Sequence, residues 1–137
     1  MLDWNKFNDL SILIIDDDQL TRELIKTMLE VVPNITIHQA YNGLKALEMI
    51  EDMKFDMIFL DLYMPFMNGQ EFIEESQKVY NVSSSYPPIV LISTDKLSRV
   101  ELKDIGIKYY LTKPFDFHNF LETIYSFLEL EVIANET

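Results

Sequence analysis

ILIIDDDQL (residues 12–20) sets four branched apolar residues directly against three aspartates. A short unbroken aliphatic run is what a strand covered on both faces requires. From Leu20 onward the apolar residues recur at helical spacing, in the stripe Leu20, Leu24, Ile25, Met28, Leu29 and Val32. The stretch therefore reads as strand, turn and helix, with the charge at the strand's carboxyl end. The same unit recurs along the chain. SILII (residues 11–15), ITIHQ (35–39), FDMIFL (55–60), PIVLI (88–92) and IKYYLT (107–112) read as strands. Between them lie further stripes: Leu44, Leu47 and Ile50 after Gly43; Phe72, Ser76, Val79 and Tyr80; a short one over residues 97–105; and Phe117, Phe120, Leu121, Ile124 and Leu128. Five strands alternating with five helices predict an α/β fold, a doubly wound parallel sheet with helices on both faces.

Composition narrows the class. A chain of 137 residues supports one domain and not two. We expect a leader at 1–10, the domain at 11–130 and a tail or linker start at 131–137, with ELEVIANET (129–137) as the fraying end of the last helix or the start of a linker and NVSSSYPP (81–88) as a loop. No second domain is expected within these residues, so the chain is either a stand-alone domain or a piece of something longer. Cysteine is absent, which excludes disulfides and thiolate metal sites. No apolar run approaches the length of a membrane span, and MLDWNKFNDL has no signal-peptide character, so a cytoplasmic protein is expected. The net charge of −12 repels phosphate backbones and anionic lipid. Nucleic acid and membranes are therefore not expected as direct partners; a cation or a basic protein surface suits the chain better.

In open parallel sheets, sites form beyond the carboxyl ends of the strands, where strand order reverses. The first predicted strand ends in Asp16, Asp17 and Asp18, the third in Asp61, the fourth in Ser93 and Thr94, and the fifth in Lys113, followed by Pro114. The second ends in Ala40 and Tyr41, which carry no such chemistry. Carboxylates without sulfur, and with His38 and His118 in separate segments, suit a hard cation; Mg²⁺ takes one or two protein carboxylates plus water and phosphate oxygens. A carboxylate beside such an ion and a lysine can attack phosphorus to give an aspartyl phosphate, with Ser93 placed to bond a phosphoryl oxygen. Singly, each residue has an ordinary role. Asp18 suits a helix cap, as Asp16 or Asp17 would; Asp61 suits a strand end and Lys113 a solvated surface. Their joint placement argues for a site.

The chain resembles the receiver domains of two-component response regulators over residues 11–128. ILIIDDDQLTRELI resembles the opening strand with its acidic pair. FDMIFLDLYMPFMNGQEF carries the whole D-x-x-M-P-x-M-[DN]-G pattern. PIVLIST resembles the strand with the switch hydroxyl, and GIKYYLTKPF the segment with the lysine and its proline. The resemblance implies a flavodoxin-like (βα)5 sheet of order 2-1-3-4-5. It implies phosphorylation of Asp61, and a Mg²⁺ (or Mn²⁺) ion held by Asp17, Asp61 and the Tyr63 backbone carbonyl, with Asp16 acting through water. It implies Ser93 as switch hydroxyl, Tyr110 as switch aromatic, Lys113 as phosphate-binding lysine and a cis Lys113–Pro114 bond. The phosphoryl donor would be a histidine kinase or a histidine phosphotransfer protein. The output would be a protein target reached through the face of the fourth helix, fifth strand and fifth helix.

This sequence also departs from the family pattern. Thr94 replaces the usual small residue after the switch hydroxyl, narrowing the expected pocket. Tyr63 and Asp95 occupy positions that tune phosphoryl lifetime. The stretch 93–106 is short, so a short fourth helix is expected. Lys108 and Tyr109 precede Tyr110 and leave the charged pattern of one common receiver dimer unrecognisable. Two alternatives compete with a phosphorylated switch. One is a degenerate receiver that only binds partners. The other is a Mg²⁺-dependent phosphohydrolase of haloacid-dehalogenase type, whose D-x-D-x-[TV] motif Asp16 and Asp18 match in spacing, although Leu20 replaces Thr or Val and Asp61 is left unexplained.

Overall fold

β1 (Leu10–Ile15) is apolar except for the half-buried Ser11, as a strand covered by helices on both sides requires. In the computed structural model, which describes residues 2–79, 86–94, 97 and 99–136, its side chains alternate between two cores. Ile12 and Ile14 join Met57, Phe59, Val90 and Ile92 beneath Ile25, Met28, Leu29, Phe120, Ile124 and Leu128. Leu13 and Ile15 join Ile58, Leu60 and Leu91 on the opposite side, beneath Ala46, Ile50, Phe72 and Ile73. One face is thus roofed by α1 (Gln19–Leu29) and α5 (Phe117–Glu136), the other by α2 (Gly43–Asp52) and α3 (Gly69–Val79), with α4 (Arg99–Ile105) alongside through Leu102 and Ile105. Phe59 and Phe120 stack at 5.8 Å between ring centroids, joining sheet to α5.

The remaining strands are β2 (Ile35–Ala40), β3 (Met57–Asp61), β4 (Ile89–Ser93) and β5 (Tyr109–Thr112). All pair in parallel, in the order β2-β1-β3-β4-β5 that the resemblance implied. From β1 the chain moves outward to β2, then returns past β1 to β3, so the order reverses between β1 and β3. A crevice opens there, beyond their carboxyl ends.

Some strand bounds and some burial expectations need correction. β3 and β4 each run one residue further than predicted, so Asp61 and Ser93 are strand residues, while β5 begins at Tyr109 and not at Ile107. Leu20, Leu24, Leu44 and Phe117, expected on buried stripes, are about half exposed or more. Leu20, Leu44 and Phe117 stand in the first turns of helices that begin at the sheet's carboxyl edge, where no strand lies beneath them; Leu24 follows one turn behind Leu20. The leader lies against α5. Trp4 and Phe7 meet Tyr125 at 5.1 and 5.4 Å between centroids, the Tyr125 hydroxyl donates to the Asp3 carbonyl, and Lys6 pairs with Glu129. At the other end, α5 runs unbroken through residue 130, and Glu131 accepts from the Tyr109 hydroxyl and the Lys108 ammonium. Tyr80, Asp95 and most of the loop NVSSSYPP lie outside the described residues.

Candidate functional site

β1 delivers Asp16 into the crevice with its backbone already fixed. The Asp16 N–H donates to the Ala40 carbonyl at 3.2 Å, one step beyond the regular β1–β2 ladder. Its carboxylate, buried at 2% exposure, accepts from the Asp18 N–H at 2.9 Å. Asp17 is exposed. Asp18 is the N-cap of α1, accepting from the Leu20 N–H at 3.2 Å and the Thr21 hydroxyl at 2.7 Å, which holds its carboxyl below the usual range.

β3 delivers Asp61 opposite Ile92, 8% exposed. The loop that follows folds back beneath it. Gly69 opens α3 so close that a Cβ there would lie 2.9 Å from the Asp61 carbonyl oxygen and 3.0 Å from the Leu62 Cα, both backbone atoms that cannot yield. The glycine of MPFMNG is therefore required by close approach. Asn68 and Glu71 exchange side-chain-to-backbone bonds at 2.9 and 3.1 Å, a capping box that starts α3.

Carboxylate oxygens of Asp16, Asp17 and Asp61 all lie within 4.8 Å of one another. The ammonium of Lys113, just past β5, stands 3.5 Å from Asp16 and 3.9 Å from Asp61. Its backbone N–H donates to the Ser93 carbonyl at 2.9 Å, tying it to the end of β4, and the Lys113–Pro114 bond is cis. One ammonium against three carboxylates leaves the pocket short of positive charge. The Asp61 carboxyl is pushed up to about 6, first by burial and then by the Asp16 charge, with Lys113 opposing. Asp16 is also raised by burial, against its bond from Asp18 and the Lys113 charge. A small cation with oxygen ligands is what such a donor set lacks.

Ser93 is fully buried at the end of β4, and Thr94 beyond it is exposed. Tyr63 is 60% exposed, and its backbone N–H donates to the Asp61 carboxylate. Tyr110 packs half-buried on the α2/α3 side, and its buried hydroxyl has no hydrogen-bond partner among the described residues. His38 stacks edge-on against Phe55 and His118 pairs with Glu122, both away from the pocket.

A family model of the response regulator receiver domain matches residues 12–125. The chain belongs to the response regulator receiver domain family. It is 38% identical over 112 residues to a protein-glutamate methylesterase/protein-glutamine glutaminase of Treponema pallidum (strain Nichols), a match covering 79% of this chain and 27% of that protein. The chain thus spans little more than a quarter of that relative's length. Among solved structures, chemotaxis protein CheY4 of Vibrio cholerae superposes with a TM-score of 0.74 at 27% identity, over 85% of this chain and 97% of that one. A two-component response regulator from Clostridium difficile gives 0.74 at 28% identity, over 88% and 96%. The function is that of a phosphoacceptor domain in two-component signalling, a class that works with histidine kinases and downstream targets. The Asp16, Asp17 and Asp61 cluster fits the Mg²⁺ site of a receiver domain. Among the described residues no helix is long and apolar enough to cross a membrane.

Two features of the site escape sequence reasoning. One is Arg22, whose guanidinium donates to the Asp16 carbonyl at 2.6 Å; the only signal is a cation one turn after the capping aspartate on α1. The other is Phe66, which is 92% exposed at φ 70°, with Met67 N–H bonded to Pro65 carbonyl at 2.8 Å. That is a γ-turn of the rare, strained sense, centred on a bulky residue. Phe66→Gly is expected to raise stability by about 0.5–1 kcal/mol, because glycine adopts this conformation without the steric cost of a Cβ and the exposed ring gives up little packing. A urea midpoint below that of the wild type would contradict this.

Proposed function

We propose that Asp61 takes the phosphoryl group from a histidine kinase or histidine phosphotransfer protein. An Asp61 oxygen attacks phosphorus as the bond to the donor imidazole breaks, and the imidazole nitrogen leaves with the electron pair. The observation that carries this reading is the placement of a buried carboxylate at the strand-order reversal, clustered with Asp16 and Asp17 and 3.9 Å from the Lys113 ammonium. Asp17, Asp61 and the Tyr63 carbonyl would hold Mg²⁺ (or Mn²⁺), with Asp16 acting through water. Bound there, the ion supplies positive charge to the transferring phosphoryl oxygens. Lys113 supplies a second positive charge from the β5 side, and the Ser93 hydroxyl bonds a phosphoryl oxygen. Thr94 narrows the pocket. Tyr110 is the element that moves: its ring is half-buried and its hydroxyl is unmatched among the described residues, so a second position for it is within reach. Its movement would change the face made by α4, β5 and α5, where a downstream protein docks. The role is that of a cytoplasmic switch and not of an enzyme with an external substrate, and the net charge of −12 argues against direct contact with nucleic acid or membrane.

The hydrolase alternative needs Asp18 in the pocket beside Asp16, whereas Asp18 is spent on the cap of α1. Incubation with phosphoramidate and Mg²⁺, followed by reduction of the acyl phosphate and mapping, is expected to mark Asp61. A mark on Asp16 would favour the hydrolase, and no mark at all a degenerate receiver.

A further inference from the structure

Arg22 lies in the first turns of α1, partly buried, and both of its hydrogen bonds go to neutral acceptors. Nη1 donates to the Asp16 backbone carbonyl at 2.6 Å and Nε to Gln39 Oε1 at 2.9 Å. Gln39, on β2, is held in turn by donating to Glu23 Oε1 at 3.3 Å. Among the described residues no carboxylate lies within ion-pair distance of the Arg22 guanidinium, although the chain holds 23 acidic residues. The arginine is therefore not there to neutralise a partner.

What it holds is the peptide unit between Asp16 and Asp17. Polar groups on either side of that unit are tied: Asp16 N–H to Ala40, and Asp18 N–H to the Asp16 carboxylate. Arg22 ties the Asp16 carbonyl as well, and the direction of that carbonyl fixes the plane from which Asp17 departs. Asp17 needs such help. It is exposed, no hydrogen bond among the described residues anchors its carboxylate, and two like charges within 4.8 Å push it outward. A rigid planar fork bonded to two strand ends resists that push better than a flexible ammonium does.

We propose that Arg22 is a positioning residue for the cation site, holding the Asp16–Asp17 peptide so that the Asp17 carboxylate faces Asp16 and Asp61. The proposal rests on the reading of this pocket as a Mg²⁺ site. It makes a prediction opposite in sign to simple electrostatics. Removing a positive charge beside three carboxylates should tighten cation binding, whereas loss of positioning should weaken it.

The test is calorimetric titration of the full chain with MgCl₂, together with melting in EDTA. Arg22→Met is expected to bind Mg²⁺ about tenfold more weakly than wild type. Arg22→Lys keeps the charge but not the fork and is expected to lose about threefold, and Gln39→Met, which frees the far side of the fork without altering any charge, a similar amount. Should Arg22→Met fail to fold, Arg22→Lys and Gln39→Met decide the matter. Wild-type affinity, or tighter binding, in folded variants whose melting temperature alone has dropped would reduce Arg22 to a staple between α1 and β2 and overturn the proposal. A wild-type chain that binds no Mg²⁺ would overturn the metal reading as well, which separates the two failures.

Discussion

Asp61→Asn is expected to melt well above the wild type in metal-free buffer at pH 7.5, and the gap should narrow by about half as the pH falls to 5. The Asp61 carboxyl is buried at the end of β3, and burial, reinforced by the charge of Asp16, raises it from 3.8 to about 6. The folded state therefore holds that proton more tightly than the unfolded chain does. This contribution to stability is fully present below 3.8 and is lost as the pH rises through about 6. At pH 7.5 the metal-free fold bears the cost of an ionised Asp61, on the order of 3 kcal/mol for a shift of this size. Asparagine removes the charge and can still accept the Tyr63 N–H. For a chain of this length the gain corresponds to about 10 °C. Lys113 limits it, because the ammonium 3.5 Å from Asp16 and 3.9 Å from Asp61 loses one partner. Mg²⁺ should narrow the difference from the other direction, since an ion that binds only the native state stabilises the wild type by mass action and the variant less. The same variant should take no label from phosphoramidate. Equal melting temperatures at pH 7.5, or a gap that does not change between pH 7.5 and 5, would show that the buried charge is compensated by something other than a cation.

This stored repulsion explains why the site was so legible in the sequence and why some of its parts were not. Aliphatic runs such as ILII and PIVLI can be accommodated only between two helix layers, so the sheet class followed from them directly. Charged residues that end or directly follow such runs stand at the carboxyl edge, which is why Asp16, Asp17, Asp61 and Lys113 are legible as a group. Strand order came from the whole pattern of motifs, because periodicity does not say which strands are neighbours. Leu20 and Leu24 misled for a related reason: a helical stripe records which side of a helix is apolar, not how far the sheet extends beneath it. Arg22 was invisible because its acceptor is a backbone carbonyl, and backbone acceptors have no residue type. The strained turn at Phe66 was equally hidden, since φ is a property of the fold and phenylalanine gives no hint of it. The leader's packing on Tyr125 depends on contacts more than a hundred residues apart, which no local pattern encodes.

The aspartyl phosphate is expected to be long-lived because of Tyr63. Hydrolysis requires a water in line with the bond between phosphorus and the Asp61 oxygen, and a group to orient it. Tyr63 is two residues beyond Asp61, and its own N–H is bonded to the Asp61 carboxylate, so its side chain departs from the immediate neighbourhood of the nucleophile. The residue is 60% exposed, and the family resemblance puts its ring at the rim of the approach that water must take. A phenol ring there takes up volume and offers neither carboxylate nor carboxamide to hold a water for attack. Thr94, exposed just past Ser93, would restrict the other side under the same reading. Tyr63→Asn supplies a group that can orient water, and Tyr63→Ala opens the approach without supplying one. The gain of a positioned water contact is worth about tenfold or more in rate. The phosphorylated Asn variant should therefore decay about tenfold faster than wild type, with the Ala variant between them, measured as loss of label after removal of the donor. The order of the three separates orientation from exclusion: an Ala variant as fast as Asn would mean that access alone limits the wild type. If neither variant decays faster, the ring does not guard the phosphoryl group, and its exposure marks a surface for the kinase or the target instead.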